Sequence, residues 1–318
     1  MAGIDDTTSL VSNVSVRQSH LQIVSPEVST YLRASLSENS RKAYCSDLNH
    51  FIAWGGTVPA TPELVADYLA AHATKHSIAT LARRLVSIGK AHTAQQLTSP
   101  TNTEVVKATL RGIRRTHGSA QRQVAPALTQ DVLSMVAGLV GTKGIRDKAL
   151  LLIGFAGAFR RSELVSLTVA DIQSAQQGLI VHLTRSKTDQ TGNGRQVAIP
   201  FARGATCAVL ALQTWLEVAK ITDGPIFRPV NRHGAISSAG LTPQAVALVI
   251  KERAQAIGLD STNYAGHSLR SGLVTSAAQL GVSSWKIRQQ TGHKSDAMLS
   301  RYIRDANIFV DNAAGAVL

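Results

Sequence analysis

Apolar residues recur at helical spacing through the first third of the chain, in short runs separated by polar caps. Ser37-Glu38-Asn39-Ser40 precedes Tyr44, Leu48, Phe51, Ile52 and Trp54, a stripe that stops at Gly55-Gly56. Thr61-Pro62-Glu63 joins an N-cap hydroxyl to a proline at the first helical position and opens a helix through Leu64, Val65, Tyr68 and Leu69. Ser77 caps another through Leu81, Leu85 and Ile88, and Thr101-Asn102-Thr103 opens a further one through Val105, Leu110 and Ile113. The pattern predicts an all-helical module over residues 21–116. Ahead of it, residues 1–20 lack any period and read as a mobile arm.

Over residues 117–128 the composition shifts to a stretch containing Gly118-Ser119-Ala120-Gln121, which reads as an interdomain linker. A second domain is expected over 129–318. A helix opens at Thr129-Gln130-Asp131, and residues 145–159 have the composition of a buried one. Residues 179–184 and 196–199 have strand composition and flank a turn-rich segment, 186–194, with Lys187 near its tip. Everything from Arg203 onward reads as helical. The expected class is mainly α with a small β-hairpin (α+β), in two domains.

Charge adds a partner to this picture. The 318 residues carry 33 Lys and Arg against 20 Asp and Glu, a net charge of +13. The excess is spread: 13 − 8 = +5 before Pro126 and 20 − 12 = +8 from it onward. Two basic halves suit a two-handed grip on double-stranded nucleic acid, because each neutralised phosphate releases condensed counterions. Cys45 and Cys207 form no CxxC pair, which points to a reducing compartment and no zinc site. The polar first twenty residues include Asp5 and Asp6, and the apolar 149–159 stretch is too short to span a bilayer. A cytoplasmic, nucleoid-associated location with no membrane partner is expected.

Candidate chemistry is concentrated late in the chain. His267-Ser268-Leu269-Arg270, Gly292-His293 and Tyr302 fall within thirty-six residues, and Phe159-Arg160-Arg161-Ser162-Glu163-Leu164 lies upstream. Cleaving a phosphodiester with an enzyme nucleophile needs an attacking oxygen, a proton for the leaving oxygen and donors for the non-bridging oxygens. It also needs groups that orient those donors. No Asp/Glu cluster of metal-ligand character appears, so fixed cations are expected to suffice without metal or cofactor. A helix would put His267 and Arg270 on one face. Taken singly, each motif reads as well as a surface His–Arg pair, a loop histidine or a half-buried tyrosine; the set and its order carry the signal.

That ordered set resembles the tyrosine recombinase (phage integrase) family over residues 126–310 or so. Its spacings are similar too, with 23 residues from Arg270 to His293 and 9 from there to Tyr302. The helical module and the Tyr302-Ile303-Arg304 setting look like the Cre-type members. The resemblance implies a core-binding domain, a catalytic domain, and strand cleavage and rejoining through a covalent 3′-phosphotyrosyl link without metal or ATP. It also implies roles. Tyr302 would be the nucleophile, Arg160 and Arg270 the phosphate clamps, and His293 a further donor to that phosphate. His267 would handle the tyrosine proton, Lys187 would protonate the departing 5′-oxygen, and Glu163 would buttress the cations. The Ser-Glu-Leu register favours Arg160 over its neighbour Arg161. Arg185 competes with Lys187, and Ser271 stands where many members carry a second histidine.

For DNA contact the candidates are Arg41 and Lys42, then Ser77, Arg83, Arg84 and Lys90, then Arg111, Arg114 and Arg115. Gln244, early in a helix opened by Thr242-Pro243, has the chemistry to read adenine. The apolar tail Ile308, Phe309, Val310, Ala313, Ala314, Val317 and Leu318 suggests a terminal helix. In the family such a helix docks on a neighbouring subunit, giving a homotetramer on paired inverted sites; docking in cis is the other possibility. A non-catalytic architectural protein and a type IB topoisomerase-like enzyme stand as the competing functions.

Overall fold

The computed structural model describes residues 25–119, 123–184 and 194–293, together with Ser295 and Leu299. The expectations for the N-terminal arm, Arg185, Lys187, Tyr302 and the apolar tail lie outside these residues. The chain divides into two compact units, Met1–Gln121 and Arg122–Leu318.

The first unit is all-helical, with α1 (Pro26–Ala34), α2 (Glu38–Ala53), α3 (Pro62–Ala71), α4 (Ile78–Ala94) and α5 (Glu104–His117). Caps set the starts: Ser37, Thr61 and Ser77 each accept the N–H three residues on with their side-chain oxygen. The apolar stripes converge on Phe51, Val65, Tyr68, Leu69, Leu81, Leu85, Ile88, Val106 and Ile113. Burying these side chains is the main driving force for the unit. One histidine is built into this packing, since the His92 ring accepts from Ala60 N through Nε2 and donates to Ile88 O through Nδ1, at 2.9 and 2.8 Å.

The second unit holds α6 (Thr129–Val136), α7 (Gly141–Ala156), α8 (Arg161–Ser166), α9 (Ala208–Ala219), α10 (Pro243–Ala256), α11 (Ser268–Gln279) and α12 (Ser284–Thr291). An antiparallel sheet runs β1 (Ile172–Ala175), β2 (Gly178–Leu183), β3 (Arg195–Pro200) in spatial order. The architecture is mainly helical with one small sheet, as the residue pattern predicts. Helix α7 is the central rod: Leu150, Leu151 and Ile153 are fully buried, with α9, α11, α6 and α8 packed around it.

Three expectations need correction. Strand β1 was not foreseen, because Ile172-Gln173-Ser174-Ala175 is too short and too polar to stand out from a loop. Residues between α9 and α10 are not helical; they form turns and two isolated bridges, Thr168 to Pro225 and Val230 to Ile236. Pro225, Pro229, Gly234 and Gly240 supply the interruption. The end of the expected linker is also part of the second unit, as Ala125 N donates to Asn263 O and Ala127 N to Ser268 O at 2.7 and 2.9 Å.

Candidate active site

Residues from three distant segments meet around α7 and build a buried cationic cluster. At Gly154 of α7 an added Cβ would lie 2.8 Å from Leu269 Cδ1 and 3.0 Å from Leu164 Cδ2. The bare backbone there lets α8 and α11 seat on the same stretch of α7, which brings the starts of both helices together. After α7 the chain turns through Ala158, at φ 48°, and Arg160 becomes the N-cap of α8.

Arg160 and Glu163 lock each other. Glu163 accepts from Arg160 N at 2.9 Å through Oε2 and from Arg160 Nη1 at 2.6 Å through Oε1. The carboxylate is only 3% exposed, so the pair works at low effective dielectric. Arg161 is exposed, with its side-chain stem against Gly266. Of the two neighbours, Arg160 is therefore the one turned into the cluster.

Arg270 sits in the first turn of α11 and is 1% exposed. Its Nη1 donates to Ala158 O at 2.7 Å, and its Nη2 lies 3.2 Å from His293 Nε2. His267 caps α11 and is exposed; it is close enough for its charge to bear on His293. The Ser271 hydroxyl is absorbed within the helix, donating to the carbonyls of His267 and Ser268, both at 3.1 Å.

His293 enters through a left-handed turn: Gly292 ends α12 at φ 67° and donates to Arg288 O at 2.7 Å. The histidine tautomer follows from its neighbours. Thr291 Oγ1 donates to Ile287 O at 2.7 Å, so it accepts from His293 Nδ1–H, also at 2.7 Å. Nε2 is left as an acceptor for Arg270. Burial first, and then the positive charges of Arg270, Arg160, His267 and Arg195, push the His293 pKa from 6.5 down to about 3. A pKa that low keeps the ring neutral at pH 7.

One member was missed from the sequence. Arg195, the first residue of β3, places Nη2 3.5 Å from Glu163 Oε2 and donates from Nη1 to Gln290 O at 2.8 Å. Burial, ahead of the opposing pull of Glu163, lowers its pKa from the ordinary arginine value. The signal was present in the alternation of the strand, since Arg195 shares the inward face of Val197 and Ile199. Thr291 carried no comparable signal. Among the described residues no group of three His, Cys, Asp or Glu side chains is arranged to hold a metal ion. Among the described residues, Arg160, Arg195 and Arg270 bring permanent positive charge to the cluster.

Candidate DNA contacts fare unevenly in the first unit. Arg41, Lys42, Lys90, Arg111, Arg114 and Arg115 are exposed. Lys42 pairs with Glu38 at 2.6 Å, Arg111 with Glu104, and Lys90 stands over the Tyr44 ring. Ser77 is occupied as a cap, and Arg83 is half exposed while its fork holds Asp47 at 2.7 and 2.8 Å. Arg84 is a correction: it is 7% exposed, 3.7 Å from buried Asp47, and belongs to the interior of the unit. Its place on the inward face of α4, beside Leu81, Leu85 and Ile88, is what buries it. Gln244 is exposed in the first turn of α10, which Thr242 caps.

Known proteins are similar to this chain in sequence and in fold. The sequence profile of the phage integrase family matches residues 126–307. An integrase/recombinase XerD homolog of Selenomonas ruminantium is 40% identical over 322 residues, covering 98% of this chain and 94% of the relative. Recombinase cre of Escherichia phage P1 is 25% identical, with 90% and 88% of the two chains covered. Among solved structures, a lambda integrase dimer bound to a COC′ core site matches with TM-score 0.60 at 16% identity, over 96% of this chain and 88% of that one. A XerH site-specific recombinase in a post-cleavage complex with palindromic difH substrate matches at 0.57 and 17% identity, over 81% and 71%. These two likenesses establish a common fold. With the profile spanning well over half of the sequence and a 40% identical relative along nearly all of it, the chain belongs to the phage integrase family of tyrosine recombinases, enzymes of site-specific DNA recombination.

Proposed function

We propose that this recombinase cleaves and reseals DNA through a covalent 3′-phosphotyrosyl intermediate, using its own cations in place of a metal ion and requiring no ATP. The observation that carries the reading is the buried meeting of Arg160–Glu163 with Arg270–His293, two guanidinium groups from segments 110 residues apart, 270 − 160. A planar guanidinium fork matches the geometry of a phosphodiester, which presents two non-bridging oxygens.

In this mechanism the Tyr302 oxygen attacks phosphorus as the P–O5′ bond breaks. The phenol proton passes toward His267, and the 5′-oxygen takes a proton from Lys187. Arg160 and Arg270 hold the non-bridging oxygens while Glu163 fixes the Arg160 fork. Leu299, three positions before Tyr302 in the sequence, is buried against Val274 and Ala278 of α11 and Ile287 of α12. Rejoining runs the same steps backward from a 5′-hydroxyl, so the phosphodiester energy is conserved in the tyrosyl link. For His293 to donate to phosphate its proton must sit on Nε2, by proton uptake or by a tautomer shift in which Thr291 Oγ1 donates to Nδ1. A phosphate facing Arg160 and Arg270 favours uptake by offsetting the charges that keep the ring neutral.

DNA is the partner. We assign Arg41, Lys42, Arg83, Lys90, Arg111, Arg114 and Arg115 to backbone contact and Gln244 to a base edge. Four copies on two inverted half-site pairs, joined through the C-terminal segment, complete the proposal. The test is covalent trapping on a nicked duplex carrying the flanking DNA of the chain, in EDTA. An adduct formed by the native protein and absent from Tyr302→Phe, with DNA affinity unchanged, is expected. Specific binding with no adduct from the native protein would favour an architectural role instead.

A further inference from the structure

The two halves of the cluster come from separate helices, and each is held by its own local bonds. Glu163 fixes Arg160 within α8, and Thr291 fixes His293 at the end of α12. Arg195 touches both. Its Nη2 forms an ion pair with Glu163 at 3.5 Å, and its Nη1 donates to Gln290 O, two residues before Gly292. The flat guanidinium also packs on Gly292 itself, where an added Cβ would meet Nε at 3.0 Å and both Cδ and Cζ at 3.1 Å. Gln290 in turn spans α12, α7 and β3, with Nε2 donating to Ala156 O at 2.8 Å and Ala198 O at 3.1 Å.

This placement costs stability. Among the described residues the buried Arg195 Nε and Nη2 have no hydrogen-bond acceptor within bonding geometry. A desolvated donor left in that state is unfavourable, and an apolar residue of similar length would avoid the cost. We propose that Arg195 is a positioning residue for strand cleavage: it clamps the Glu163–Arg160 pair to the Gly292–His293 turn, so that the phosphate pocket is assembled before DNA arrives. Only a planar, multi-donor cation does this. A lysine would place one charge near Glu163, without the second bond to Gln290 O and without the flat face against Gly292. The inference rests on the proposed phosphodiester chemistry, and concerns the geometry in which that chemistry is presented.

The experiment uses the full chain and compares Arg195→Gln and Arg195→Lys with the native protein on a nicked duplex. Single-turnover adduct formation, DNA affinity and the imidazole ¹⁵N signals of His293 are recorded together. We expect adduct formation to slow about 100-fold in Arg195→Gln with affinity held within about threefold, since binding is set by backbone contacts elsewhere. Arg195→Lys should recover little of the lost rate. The His293 signals should show a changed tautomer balance or a titration moved to higher pH, because one of its charged neighbours is gone. Rates within about threefold of native, or a rate loss matched by the fraction unfolded with native-like His293 signals, would overturn the proposal. If native protein gives no Tyr302-dependent adduct, the functional reading fails instead, and the His293 signals still report whether Arg195 sets that turn.

Discussion

Acid should destabilise this protein through His293, and the size of the effect follows from its surroundings. In the unfolded chain the imidazole titrates near 6.5, whereas in the folded site it resists protonation down to about 3. Between those values the unfolded state binds a proton that the folded state refuses. Stability is therefore fully present above pH 6.5 and falls as pH drops toward 3, by about 1.4 kcal/mol per pH unit. From pH 6.5 to pH 5 the loss is about 2 kcal/mol, a large share of a total near 5–15 kcal/mol. The ring is 8% exposed, so solvent screening weakens this little. Asn at this position can still accept from Arg270 and does not titrate. Urea unfolding of native protein and His293→Asn at pH 7 and pH 5 isolates the term, because other groups cancel in the difference. The gap between the two proteins should move by about 2 kcal/mol in favour of the variant at pH 5. A gap constant within about 0.3 kcal/mol would refute the buried neutral assignment.

Other consequences are open to direct measurement. DNA binding should raise the His293 titration midpoint above the value near 3 of the free protein, read from its imidazole ¹⁵N shifts across pH with and without DNA. Glu163→Gln leaves the Arg160 and Arg195 guanidinium groups without their shared counter-charge and should cost about 3 kcal/mol in chemical denaturation. Gly272→Ala should destabilise by at least about 2 kcal/mol despite better helix propensity, since its Cβ would fall 1.7 Å from Ala127 O and force the segment off α11. Arg114→Ala should lower the salt slope of DNA binding by about one, while Lys42→Ala, relieved of an exposed pair with Glu38, should leave stability within about 0.5 kcal/mol.

Much of this was legible in the residue order because local physics fixes it. Caps at Ser37, Thr61 and Ser77 and stripes at helical period determine the helices of the first unit without reference to any partner. The ordered motifs around Arg160, His267, Arg270, His293 and Tyr302 are sequence features that mark the family before any geometry is known. What depends on groups far apart in the chain had to wait for the tertiary structure. Whether Arg84 meets solvent depends on Asp47, nearly forty residues away, and on the face of α4 that the core takes. The His293 tautomer and its low pKa require Thr291, Arg270, Arg160 and Arg195 to be brought together, and Arg195 joins them only through the register that pairs Leu183 with it across β2 and β3. Sequence periodicity reports which face is buried; desolvation and charge coupling arise only once separate faces have met, and they decide what the buried groups can do.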